Sequence, residues 1–224
     1  MNKNTRNYII FALIAAALGM RLFLLYTTQH YMDGDEAVLG VQAIGIIERG
    51  EHTIFFGNQH YNGAAVWEAY LGAALMAIFG YSDVIFKYSA LIFSLIFVFF
   101  TYIWSRENFG WKAALVTLIL IIFSSSLIRW NIRVLGHLGM GAYAAFLLWV
   151  YYRYLFDKSR KIWLFLLTGF FSGIALWGMT SSILIFTVFL LYLFYQEKWR
   201  LFLWKFWAWL IAFLLGASLL VYDN

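Results

Sequence analysis

Long apolar segments recur throughout this chain and limit the folds that it can adopt. A helix needs roughly 20 consecutive apolar residues to cross a hydrocarbon core about 30 Å thick. Five such segments stand between short charged groups, at residues 8–28, 84–104, 111–128, 137–156 and 201–222. Hydrophobic residues make up 64% of the chain and charged residues only 12%, which excludes an ordinary soluble domain. The sequence therefore predicts an all-α integral membrane protein.

Two further apolar regions decide the number of spans. Residues 162–195 would form a helix about 51 Å long, so a break at residues 178–182 is expected to give two spans. Residues 63–80 are short for a span and carry Glu68. If they lie in the membrane interface, 11 of the 16 Lys and Arg residues fall on the cytoplasmic side, whereas a spanning helix would leave only 5 there. We therefore predict seven spans and a cytoplasmic N-terminus, as a multi-pass protein of the plasma membrane.

The net charge of +5 does not indicate a nucleic-acid partner, because the basic residues occur in short groups next to the predicted spans. Most acidic residues lie instead in the first outer loop, residues 29–83, which holds seven of the 11 in the chain. A loop of this length between spans is uncommon unless it folds or functions. Its pattern predicts two juxtamembrane helices, at about residues 35–49, ending at Gly50, and at residues 63–80.

The acidic residues of this loop allow two interpretations. Asp33 and Glu36 have the spacing of a helix capping box, and spacing alone favours that role. Capping does not require Asp35 or Glu68. A carboxylate at Glu68, within an apolar helix, needs a metal ion, a basic partner, a raised pKa or access to water. The first three of these are features of active sites.

Cationic side chains occur in the second outer loop, in the segment SSSLIRWNIRVLGHLGMG. Arg129, Arg133 and His137 are four residues apart, so a helical turn would align them on one face. Arginine suits bidentate recognition of phosphate, and it also contacts lipid headgroups at the ends of spans. Acids in one outer loop and cations in the other suggest a general base or metal facing a phosphate site.

The order of several motifs resembles the N-terminal part of the GT-C glycosyltransferases. These motifs are DGDEAVLG, IIERGE, FFGNQHYNGAAVWEAYLGAALMAIFG and YSDVIFKYSALIF. The chain is most similar to the family 39-like proteins, which are related to protein O-mannosyltransferases and lipid A aminoarabinose transferases. The resemblance implies one module over residues 1–224, with seven spans and two juxtamembrane helices in the first outer loop. The Lys-Pro-Pro sequence that opens the second of these helices in relatives is absent. We expect the chain to be the N-terminal part of a longer protein.

The resemblance also implies a reaction and its residues. The reaction is transfer of a sugar, with inversion, from a polyprenyl-phosphate donor to a lipid, glycan or protein acceptor on the outer face of the membrane. Asp35 is implied to be the catalytic base or to position a metal, with Glu36 and Glu68 as further catalytic acids. The implied contacts of the donor phosphate are Arg129 or Arg133, and His137 is a third candidate. Asp35, Glu68 and His60 are candidate ligands of a divalent metal ion.

A lipid or solute transporter and a non-catalytic membrane scaffold are the alternative functions. A transporter would be expected to concentrate charges near the bilayer midplane and to contain internal repeats. We find neither pattern in the sequence. A scaffold would tolerate loss of the acidic residues.

Overall fold

The chain folds almost entirely into helices. The computed structural model describes residues 2–28, 31–58, 63–130, 132–156, 161–198 and 204–220. Its α-helices are α1 (Lys3–Thr27), α2 (Gly34–Arg49), α3 (Gly63–Phe79), α4 (Asp83–Phe123), α5 (Ser125–Trp130), α6 (His137–Phe156), α7 (Ile162–Gly178), α8 (Ile183–Glu197) and α9 (Lys205–Ala217). No β-strand occurs in these described ranges, so the predicted all-α class is confirmed.

Three segments of the described chain are long and apolar enough to cross a membrane. They are Asn7–Thr27 in α1, Asp83–Phe123 in α4, and Thr180–Glu197, which joins a 3-10 turn to α8. Helices α3, α7 and α9 are also apolar but have only 17, 17 and 13 residues. These lengths and compositions are compatible with a membrane protein, as the sequence predicts.

Helix α4 is a hairpin of two helical arms. Gly110 has a φ of 85° and a ψ of 175°, a combination that glycine alone adopts readily. The hydroxyl oxygen of Ser105 lies 3.1 Å from that of Thr117, although 12 residues would span about 18 Å along a straight helix. The chain therefore reverses at Gly110, which agrees with the predicted separation of residues 84–104 from residues 111–128.

Helices α2 and α3 pack against each other and against the start of α4. Asp33 and Glu36 form the predicted capping box at the start of α2, and Gly50 ends the helix with a left-handed φ of 64°. Small residues on α3 allow a close approach to α4, because a Cβ atom at Gly72 would lie 2.5 Å from the ring of Phe86. The two helices predicted in the first outer loop are therefore confirmed as helices.

The predicted break at residues 178–182 is also confirmed. Helix α7 ends at Gly178, and α8 begins at Ile183 after the 3-10 turn Thr180–Ser182. Helix α7 then packs closely along α9, where Gly169 and Gly173 face the main chain of Trp209 and Phe213. Glycines four residues apart let helix backbones approach each other, which is a common interface between membrane helices.

Replacing Gly173 with leucine should separate α7 from α9 and lower thermal stability. A Cβ atom at this position would overlap the carbonyl oxygen of Phe213, and overpacked sites typically lose about 1–3 kcal/mol. Thermal unfolding of the detergent-solubilised protein measures the loss. Gly19→Leu is the matched control, because nothing lies within 4 Å of a Cβ atom at Gly19. Equal stability of the two variants would contradict the close helix contact.

Candidate functional site

A cleft of about 620 Å³ brings together residues from both predicted outer loops. It lies where the start of α2, the end of α5, the start of α6 and the turn between α7 and α8 meet. We call it the Asp35 cleft, and its lining residues are Asp33, Asp35, Phe56, Trp130, Arg133, Leu135, His137, Met179, Thr180 and Ser181. Three of the residues predicted from sequence therefore share one cavity: Asp35, Arg133 and His137.

Asp35 offers an uncommitted carboxylate to this cleft. It stands in the first turn of α2 and is exposed. The cap of α2 is provided by Asp33, whose Oδ1 accepts a hydrogen bond of 3.0 Å from the main-chain N–H of Glu36. Asp35 makes no hydrogen bond or ion pair with any other residue that the structure describes. Capping and a free carboxylate thus coexist in the same helical turn.

Arg133 lies in the second outer loop, and its guanidinium group contacts residues of the first outer loop across the Asp35 cleft. Its Nη1 is 3.2 Å from Oδ2 of Asp33, and its guanidinium carbon is 5.3 Å from the ring centre of Tyr31. The bond to Asp33 uses one of the five N–H donors of the guanidinium group. No other described residue accepts from the remaining donors, which are therefore available to an anion, and the contacts with Asp33 and Tyr31 limit the movement of the side chain.

His137 is the first residue of α6, and its ring has a defined orientation. The ring stacks on Trp130 with centres 4.7 Å apart and planes 9° apart. Its Nδ1 lies 3.0 Å from the carbonyl oxygen of Leu135. Because a carbonyl oxygen only accepts hydrogen bonds, this contact places a proton on Nδ1. Nε2 is then left for a ligand in the cleft.

The expected alignment of Arg129, Arg133 and His137 on one helical face is wrong. Helix α5 ends at Trp130, α6 begins at His137, and the described residues between them are not helical. Gly136 has a left-handed φ of 76°, and a Cβ atom there would lie 2.7 Å from Ala65. The helix is therefore interrupted between Trp130 and His137. Arg133 and His137 still reach the same cleft, but Arg129 lies in a neighbouring one.

Glu36 is fully buried beneath the second loop instead of lining the Asp35 cleft. Its Oε1 accepts a hydrogen bond of 2.9 Å from the main-chain N–H of Val134. Its Oε2 accepts one of 3.3 Å from the N–H of Asp33 and lies 3.9 Å from Nζ of Lys87. Burial raises the pKa of the Glu36 carboxyl, although the Val134 N–H and the Lys87 ammonium oppose this shift. The carboxylate therefore joins the start of α2 to the second loop.

Glu68 is likewise fully buried and caps helix α6 from a distant part of the chain. Its Oε1 accepts a hydrogen bond of 2.8 Å from the N–H of Gly139, and its Oε2 accepts one of 3.0 Å from Gly136. N–H groups in the first turn of a helix have no partner within the helix. Burial raises the pKa of Glu68 to about 7, even though these hydrogen bonds favour the ionised form.

The placement of Glu36 and Glu68 differs from the expected catalytic role. Neither side chain lines the Asp35 cleft, and both hold the main chain of the segment that carries Arg133 and His137. We therefore interpret them as positioning residues. Of the four expected ways to accommodate Glu68, burial favours a raised pKa, and main-chain donors that the sequence pattern did not suggest also hold its carboxyl group.

A metal ion held by Asp35 and Glu68 does not fit this arrangement. Both oxygens of Glu68 accept hydrogen bonds from main-chain N–H groups, and the side chain does not reach the cleft of Asp35. Among the described residues, no three His, Cys, Asp or Glu side chains are grouped as a metal site would require. His60, the third expected ligand, lies outside the described residues.

Two residues near the cleft were not predicted from the sequence. Trp130 supports the ring of His137, and no pattern in the sequence marks it among the many aromatic residues. Lys87 is buried between Glu36 and the main chain of Tyr31. A single cation in the apolar stretch VIFKYSALIF was an available signal, because such residues usually have a partner or a function.

Comparisons with models of protein families, with curated proteins and with solved structures found no match to this chain.

Proposed function

We propose that this protein is a GT-C membrane glycosyltransferase, similar to family 39, that transfers a sugar from a polyprenyl-phosphate donor to an acceptor. One observation carries the proposal: the uncommitted carboxylate of Asp35 shares a cleft with Arg133 and His137. A base and a phosphate-binding group within one cavity are what such a transfer requires. The motif resemblance supplies the donor and acceptor classes.

The reaction uses the residues of the Asp35 cleft in separate roles. The carboxylate of Asp35 takes the proton from an acceptor hydroxyl as that oxygen attacks the anomeric carbon. The bond between this carbon and the phosphate oxygen breaks, and the electron pair leaves with the lipid phosphate. Attack from the opposite side inverts the anomeric carbon. Arg133 stabilises the negative charge that develops on the departing phosphate, and His137 adds a hydrogen bond to it when Nε2 also carries a proton.

The proposed topology has seven spans, with α2 and α3 at the outer membrane surface and the N-terminus in the cytoplasm. The distribution of Lys and Arg supports it. In this arrangement the Asp35 cleft opens on the outer face of the plasma membrane, where a polyprenyl chain would lie beside the helices. The acceptor is a lipid, a glycan or a protein.

Replacing Arg133 with glutamine should reduce kcat/KM for sugar transfer at least tenfold. A charge-assisted contact with phosphate contributes about 1.5–3 kcal/mol, and each 1.4 kcal/mol corresponds to a factor of ten. The assay follows transfer of labelled sugar from polyprenyl-phosphate donors to membrane acceptors in proteoliposomes. Arg106→Gln is the control, because Arg106 is exposed and lies near the reversal of α4.

Two results of this assay would contradict the proposal. Undiminished transfer by Arg133→Gln would remove Arg133 from the donor site. Absence of transfer by the unmodified protein, with a panel of hexose and pentose donors, would favour a scaffold or a transporter instead.

A further inference from the structure

A second cleft, of about 550 Å³, adjoins the Asp35 cleft on the other side of Arg133. We call it the basic cleft, and its lining residues are Thr27, Thr28, Tyr31, Lys87, Arg129, Ile132 and Arg133. Three of these seven residues are cationic, and no acidic residue is among them. A concave surface with charges of one sign concentrates the electrostatic potential and attracts the opposite charge.

Nearby carboxylates only partly balance these cations. Arg133 is paired with Asp33 at 3.2 Å, and Nζ of Lys87 is 3.9 Å from Glu36, which is a weak contact. Arg129 makes no ion pair with any residue that the structure describes. Burial also raises the pKa of Glu36, which weakens its charge as a counterion. The cleft therefore has excess positive charge, and Arg129 contributes most of it.

Lys87 gives the basic cleft a fixed cation. The side chain is 3% exposed, and its Nζ donates a hydrogen bond of 2.5 Å to the carbonyl oxygen of Tyr31. An ammonium group has three donors, so this bond leaves others for a ligand. Because the ammonium group of Lys87 is buried, its position beside the cavity is set before any ligand binds, unlike that of a solvated surface charge.

The basic cleft lies at the ends of two helices that are long enough to span a membrane. Thr27 is the last residue of α1, and Lys87 belongs to the second turn of α4. The cleft thus stands at the polar boundary of the apolar segments Asn7–Thr27 and Asp83–Phe123. In a bilayer, the phosphate groups of lipids occupy this level.

We propose that the basic cleft binds the phosphate group of an anionic lipid, at a site separate from the Asp35 cleft. Arg129 and Lys87 contact the phosphate oxygens, and Arg133 forms the wall between the two clefts. This site does not depend on sugar transfer, so it can be tested on the resting protein without a donor.

The test measures binding of short-chain phosphatidylglycerol to the full chain in a neutral detergent at low salt, where charge interactions are least screened. Arg129→Gln should weaken binding about tenfold, and Arg129→Lys should retain most of it because the charge remains. Lys87→Gln should also weaken binding, and thermal unfolding checks that this buried substitution leaves the protein folded. Arg106→Gln is the matched control, with the same loss of charge at a site away from the cleft.

Competition with inorganic phosphate identifies the group that is recognised. If inorganic phosphate displaces the lipid from the wild type but not from Arg129→Gln, the result supports a phosphate site. Equal lipid binding by wild type and Arg129→Gln would overturn the proposal. If inorganic phosphate binds through Arg129 but lipid binding is unchanged by the substitution, the lipid is not the source of the phosphate and the proposal fails.

Discussion

Replacement of Glu68 by alanine is expected to lower the free energy of unfolding by about 2–6 kcal/mol and to abolish most of the proposed sugar transfer. The substitution leaves the buried N–H groups of Gly136 and Gly139 without an acceptor, at a cost of about 1–3 kcal/mol each. The first turn of α6 then lacks its cap, so Arg133 and His137 lose their fixed positions. Thermal unfolding and sugar transfer measure the two effects.

Glu68→Gln separates the charge of this side chain from its shape. The pKa of Glu68 is about 7 in the folded protein and ordinarily 4.5, so between these values the folded state binds more protons than the unfolded state. The stability contribution of Glu68 is therefore fully present below pH 4.5 and falls as pH rises through 7, by about 3 kcal/mol. The glutamine variant cannot titrate at this position.

The stability of wild type relative to Glu68→Gln should accordingly be greatest below pH 4.5 and fall as the pH rises through about 7. Asp83→Asn is a suitable control, because Asp83 is an exposed acid at the start of α4. A difference that stays constant across this pH range would show that the carboxyl of Glu68 does not titrate there. Unchanged stability of Glu68→Ala would contradict the cap itself.

Local signals in the sequence predicted much of the fold. The capping box at Asp33, the end of α2 at Gly50 and the break after Gly178 each depend on residues close to one another in the chain. The reversal near Gly110 follows equally from the short charged segment that separates two apolar stretches. Such features are set by backbone chemistry and hydrophobic pattern, which are visible without tertiary contacts.

The roles of the buried acids depend on contacts between distant residues, and spacing does not reveal them. Glu68 and Gly139 are 71 residues apart in the chain, and Glu36 and Val134 are 98 apart. The same limitation explains the wrong helical alignment of Arg129, Arg133 and His137. A four-residue spacing predicts one face only if the helix is continuous, whereas α5 ends at Trp130 and α6 begins only at His137.

Replacement of Asp35 by asparagine should reduce kcat for the proposed sugar transfer by about 10²–10⁴-fold, which is the usual contribution of a general base. Asparagine has nearly the same shape but cannot take a proton from the acceptor hydroxyl. Because Asp35 is exposed and makes no hydrogen bond or ion pair with other described residues, stability should be almost unchanged. A loss of activity with normal thermal unfolding would therefore report chemistry and not misfolding.

Glu48→Gln is the matched control for this variant. Glu48 is an exposed acid on the same helix, nearly four turns after Asp35 and outside the Asp35 cleft. The substitution removes the same charge from α2 and should leave transfer unaffected. An equal loss in both variants would indicate an effect of the net charge of α2.

The most direct test of the proposed function is a sugar-transfer assay with a polyprenyl-phosphate donor. It compares wild type, Asp35→Asn and Glu48→Gln side by side. We predict transfer by wild type and Glu48→Gln and its loss in Asp35→Asn alone. Transfer by Asp35→Asn at the wild-type rate would contradict the assignment of Asp35 as the catalytic base.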